Sequence, residues 1–155
     1  MPWQIPIMLL VLLIVSTPAS LAQSSYEQLA MAHGASYAAH RIAENAANRC
    51  AHVSPGTGTS TNGKQVQWSG ISGLRRVANT CRQISDDMRA KIYAQYPTQA
   101  AGLEREMDRE FPKLEAYARQ FTAQSFSNEI RDPRVGCWLL EHAVTQAAAK
   151  HCVTR

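Results

Sequence analysis

The stretch DPRVGCWLLEHAVTQAAAKHC, Asp132 to Cys152, decides how this chain can fold, because it carries two of the four cysteines on one helix. Asp132-Pro133 is a helix start: an N-cap carboxylate followed by proline in the first turn, where its missing N–H costs nothing. Val135, Trp138, Leu139, Leu140, Ala143, Val144, Ala147 and Ala148 then follow as a well-buried helix has them. On a continuous helix, Cys137 and Cys152 lie roughly 22 Å apart at about 1.5 Å per residue. A disulfide needs Cα atoms within about 7 Å, so each must pair with Cys50 or Cys81.

Upstream, the 155-residue chain opens on an apolar run from Ile5 to Val15, broken only by Pro6 and followed by small residues ending in Ser20-Leu21-Ala22. Residues 1–22 read as a signal peptide cleaved after Ala22, although no Lys or Arg precedes the apolar run. That run is shorter than the roughly 20 apolar residues that span a bilayer, so a stable membrane anchor is not expected. Four cysteines in an exported chain read as two disulfides. No Asn-x-Ser/Thr sequon occurs, and the Ala- and Gln-rich composition leans toward a bacterial periplasm rather than an extracellular address.

Residues 23–155 suit one helical domain. The formal net charge of +4 is mild and the bases are interspersed with acids, unlike a nucleic-acid footprint. Ser24 with Glu27 forms a capping box, so the first helix should start near Ser25, carry Leu29, His33, Tyr37, His40, Ala43, Ala47 and Cys50 on one stripe, and end near Val53. Ser54 to Gly73 is the one long stretch of low helix propensity. Asn62-Gly63 is a turn signal there, and Gln65-Val66-Gln67-Trp68 alternates as a short hairpin strand does. Leu74, Val77, Ala78, Cys81, Ile84, Met88, Ile92 and Tyr96 hold one face of a second helix that Pro97 stops. The third runs from about Thr98 with Leu103, Met107, Phe111, Leu114, Ala118 and Phe121 inward, and Pro112 should kink or split it.

The expected architecture is therefore an all-α, disulfide-stapled four-helix bundle. If every connection were short, Cys50, Cys81 and Cys137 would gather at one end and strand Cys152 at the other. A long crossover loop after the first helix, Ser54–Gly73, resolves that, since about 20 residues at up to ~3.3 Å each can traverse the bundle. The pairing expected on this reasoning is Cys81–Cys137 with Cys50–Cys152.

Catalytic motifs are absent: there is no Gly-x-Ser-x-Gly, Cys-x-x-Cys, phosphate loop or His-Glu-x-x-His, and no haem attachment site. The carboxylates Glu104, Glu106, Asp108 and Glu110 alternate with Arg105 and Arg109 as an exposed helix surface does. An enzyme is therefore not expected, nor a cofactor. If Cys50 met Cys152, His52 and His151 would complete a two-Cys, two-His zinc set, but an oxidising compartment favours the disulfide. His33 and His40 are weak metal candidates: seven residues separate them by about 10 Å, too far for one ion without ligands from another helix.

Binding of another protein in the same compartment is the reading that remains, most concretely an inhibitor or immunity-type protein acting on an enzyme or toxin. The 54–73 loop is its leading contact, with Asn62, Lys64 and Trp68 as candidate residues. Trp68 is either tucked onto the bundle or offered as an anchor. Arg75, Arg82 and Arg89 recur every seven residues as a basic stripe that could meet an acidic partner, unless Asp86 pairs with its helix neighbours. Other expectations are a structural component of an envelope or secretion assembly, and a metal- or small-ligand-binding bundle built on His33, His40 and Tyr37.

Overall fold

The computed structural model describes residues 21–125 and 132–152, so the signal peptide read over residues 1–22 and the connector 126–131 lie outside it, save Leu21 and Ala22. Four helices and one hairpin follow in order: α1 (Leu21–Cys50), β1 (Gly56–Thr59), β2 (Gln65–Trp68), α2 (Ser72–Gln95), α3 (Pro97–Ser125) and α4 (Pro133–His151). The all-α, disulfide-stapled bundle is thus the fold. Among the described residues, no helix is long and apolar enough to cross a membrane.

Helix α1 is the axis of the bundle and touches every other helix. Its composition explains why: Ala30, Ala39, Ala43, Ala46 and Ala47 are buried and present no bulk, so neighbouring backbones come close. Two histidines use that proximity. His33 Nδ1 donates to the Ser85 carbonyl at 3.0 Å, and His40 Nδ1 donates to the Ala78 carbonyl at 2.9 Å. As the α1 partner moves forward from 33 to 40, the α2 partner moves back from 85 to 78, so α1 and α2 are antiparallel. Helix α3 returns parallel to α1, with the Tyr37 and Phe111 rings 6.3 Å apart and Arg41 Nε bonded to Glu115 at 2.5 Å.

Antiparallel α1 and α2 exclude the expected crossover. Residues 54–73 turn back as the hairpin, with Gly56 opposite Trp68 and Thr59 opposite Gln65. The expected cysteine pairing fails with it: the disulfides are Cys50–Cys137 and Cys81–Cys152. The physical reason is helix register. The two histidine bonds set Cys81 level with residue 37, thirteen residues from Cys50, or about 20 Å along α1. That nearly equals the roughly 22 Å between Cys137 and Cys152, so α4 meets both partners at once. Cys81 is a mid-helix residue, not an end residue, and Cys152 is stranded only if that is overlooked.

The capping box expected of Ser24 and Glu27 does not open α1, which begins at Leu21 and carries both positions within it. Other local signals hold with small shifts. Asp132 caps α4 by accepting the Arg134 N–H at 3.0 Å, ahead of Pro133 at the first helical position. Pro97 opens α3 rather than merely ending α2. Pro112 does not split α3, which runs unbroken through it. Nor does Phe111 face inward: it is 37 % exposed and lies over the Arg41 guanidinium, 5.4 Å from its ring centre.

Most of the core lies at the hairpin end, where Ile42, Ala46, Trp68, Leu74, Leu140 and Val144 pack together. A smaller cluster of Ala30, Ile92, Ala100 and Leu103 closes the opposite end. The 19-residue α4 is too short to reach it beside the 30-residue α1.

Candidate protein-binding surface

The hairpin is clamped to the bundle from both strands. In β2, Val66 and Trp68 point inward while Gln65 and Gln67 point to solvent, the period-two pattern of a strand with one covered face. Trp68 is completely buried and its indole Nε1 donates to the Val53 carbonyl at 3.1 Å. The anchoring role proposed for Trp68 toward a partner is therefore corrected: it holds the hairpin to this chain. In β1, a Cβ built at Gly58 would sit 3.0 Å from Val135 Cγ2 and 3.1 Å from Arg134 Cβ, so the strand rests directly on the first turn of α4. Arg134 Nε donates to the Ser54 carbonyl at 3.1 Å and fixes the hairpin's entry. Gly58→Val should force the strand off α4 and lower stability by about 1–3 kcal/mol, read as a lower urea midpoint with an unchanged slope.

What the clamp leaves outside is the turn. Gly63 has φ +82°, open to glycine at no steric cost, and the Asn62 carboxamide oxygen accepts the Lys64 N–H at 3.1 Å and the Ser60 hydroxyl. Asn62 thus shapes the turn from within, and Lys64 is exposed beside it. The Lys64 ammonium lies 5.6 Å from the centre of the Trp138 ring, which is itself 4.2 Å from the His142 ring. The helical spacing places Trp138 in the buried stripe of α4, yet it is only half-buried, with its ring between Lys64 of the hairpin and the exposed His142.

Helix α2 begins next to this. Ile71, Ser72, Arg75, Arg76, Asn79 and Thr80 line a shallow open depression. Arg75, Arg76 and Arg82 are exposed and have no ion-pair partner among the described residues. Arg89 differs from the rest of its stripe. It bonds Glu104 of α3 at 2.6 Å and covers Tyr93, so pairing across helices replaces the expected pairing with Asp86. A seven-residue spacing finds Arg75 and Arg82; it passes over Arg76, the second cation of the depression.

The histidine candidates do not assemble. Cys50 pairs with Cys137, so His52 stays at that end while His151 sits fourteen residues past Cys137, about 21 Å along α4. His33 and His40 spend their Nδ1 hydrogens on α2 carbonyls. The Ser85 hydroxyl, 2.9 Å from His33 Nδ1, completes that buried contact. Among the described residues, no three His, Cys, Asp or Glu side chains are grouped to hold a metal.

Burial holds the His33 pKa below its ordinary value, with the Ser85 carbonyl opposing. The unfolded chain takes up this proton near pH 6.5 and the folded chain only at lower pH. His33 therefore supports the fold fully above about pH 6.5, and that support falls as the pH drops through this value toward the folded pKa. His151 is shifted the same way, by burial and then Lys150. The expected result is a urea midpoint that declines from pH 7 to pH 5, with a shallower decline in His33→Asn.

At the α2 start, Glu141 of α4 lies against Gly73, and burial raises its pKa, His142 opposing. No protein family, no curated protein and no solved structure matches this chain.

Proposed function

We propose that this is an exported helical module that binds another protein, most concretely an inhibitor or immunity-type protein directed at an enzyme or toxin in a bacterial periplasm. One observation carries the reading. The only non-helical element among the described residues is a hairpin whose inner face is locked to the bundle by Trp68, Gly58 and Arg134, while its turn stands in solvent. A projecting turn on a rigid frame reaches a partner with little ordering cost, which is how preorganised recognition gains affinity. Two disulfides suit a non-reducing, exported compartment, where such a frame persists.

The test uses the oxidised protein as bait against the envelope and secreted fraction of its own source, with a variant whose Thr61–Lys64 turn is replaced by two glycines. Retrieval of one stoichiometric enzyme, inhibited on binding and lost with the turn variant, supports the reading. Self-association or several assembly components would instead favour the structural role. A ligand site on His33 and His40 would have to break the bonds that join α1 to α2.

A further inference from the structure

The charges of this protein are divided between its two ends. Register splits the bundle at residues 36, 82 and 110 of α1, α2 and α3, and α4 lies wholly on the hairpin side. Residues 37–82, 111–125 and 132–152 form the hairpin half, with ten Lys and Arg against four acids. Residues 21–36 and 83–110 form the other half, with four Lys and Arg against seven acids. The halves thus carry formal charges of +6 and −3, a separation that the modest overall charge conceals.

Three of the four acids of the hairpin half are already engaged: Glu44 and Glu115 share Arg41 and Asp132 caps its own helix, while Glu141 lies beside Gly73, where burial favours its neutral form. At the far end, ion pairs such as Arg89–Glu104 and Arg109–Glu106 neutralise one another. Uncompensated positive charge is therefore concentrated around the α2 start, where Arg75 and Arg76 flank the depression with Asn79 and Thr80 as further polar groups.

We propose that the Arg75–Arg76 depression docks carboxylate side chains of an acidic protein surface, with the positive hairpin half steering the approach. Two guanidinium forks present paired donors that match carboxylate geometry, and Ile71 supplies an apolar wall beside them. The opposite negative end orients the molecule in the partner's field, so the hairpin arrives first. The proposal rests on the protein-binding reading above, adding the partner's chemistry and a contact site separate from the turn.

The probe is a fluorescein-labelled, twelve-residue peptide of Asp, Glu and Ser, titrated by anisotropy into the oxidised protein. Arg75→Glu/Arg76→Glu is compared with Lys91→Glu/Arg105→Glu, which changes net charge equally at the far end. All four side chains are exposed, and thermal melts verify that each variant folds. The expected result is at least about tenfold weaker binding for the first pair, less than about twofold for the second, and weakening as salt rises from about 50 to about 200 mM.

Equal losses in both pairs, or no peptide binding, would overturn the site. So would binding to phosphatidylcholine vesicles containing phosphatidylglycerol without binding to the peptide, which would make the surface a lipid contact. If an enzyme retrieved as above binds Arg75→Glu/Arg76→Glu as tightly as the parent, this inference fails and the inhibitor reading stands. Peptide binding that maps to Arg75 and Arg76 with no retrieved protein would have the reverse meaning.

Discussion

Replacing Trp68 with alanine should lower stability by about 3–5 kcal/mol, the range for emptying a large aromatic from a packed core. The ring is wholly buried among Ile42, Leu74, Leu140 and Val144, so its loss opens a cavity bordered by three helices. It also leaves the Val53 carbonyl without its indole donor. Trp68→Phe separates the two effects, keeping most of the apolar volume while losing a hydrogen bond worth about 1 kcal/mol. Urea denaturation followed by far-UV circular dichroism checks both values. A loss near 1 kcal/mol for the alanine variant would mean that the hairpin is not seated as described. On the binding side, Trp68→Ala should weaken a partner by displacing the hairpin, whereas Trp68→Phe should bind normally. A tryptophan that contacted the partner directly would lose affinity in both.

The example of Trp68 shows how far this sequence can be read. Alternation in Gln65-Val66-Gln67-Trp68 and the Asn62-Gly63 turn announce a hairpin, because both are local conformational preferences. Helix ends were legible for the same reason at Asp132-Pro133 and Pro97. Alternation says that Val66 and Trp68 share a face; it does not say what covers that face. The cover is α4, sixty-five residues later in the chain, and no local preference encodes it.

The cysteine pairing was hidden by a similar non-local quantity, the register of α1 against α2. It is set by the depth at which His33 and His40 find the carbonyls of Ser85 and Ala78, and two turns of sliding would move Cys81 to another level. The helical stripe places His33 and His40 on one face of α1, but their role as rivets between helices needs the partner backbone in place. Arg76 escaped for a different reason. A seven-residue spacing steps from Arg75 to Arg82 and skips Arg76, whereas Ser72, Arg75, Arg76, Asn79 and Thr80 share one face of α2 at steps of three and four, the spacing that carries it.

Those registers make the cystines testable in both identity and energy. Peptide mapping without reductant should join the Cys50 peptide to that of Cys137, and Cys81 to Cys152; a Cys50–Cys81 or Cys50–Cys152 link would overturn the bundle's handling of α4. Each bridge closes a long loop, with sequence separations of 87 and 71. Chain entropy alone then gives both a contribution of about 4–5 kcal/mol, and removal of a native disulfide typically costs about 2–5. Entropy does not rank them, but burial does. Cys50 and Cys137 are wholly buried in the main core beside Trp68 and Leu140, whereas Cys152 is half-buried at the end of α4. Cys50→Ala/Cys137→Ala should therefore cause the larger fall in melting temperature, because lost packing is added to lost restraint. Cys81→Ala/Cys152→Ala should fray the end of α4 while leaving the hairpin clamp and the Arg75–Arg76 depression in place. That variant should keep its affinity for the acidic peptide at temperatures where the Cys50→Ala/Cys137→Ala protein has lost it. Equal losses of binding would show that the surface depends on the whole bundle rather than on the end that Cys50–Cys137 secures.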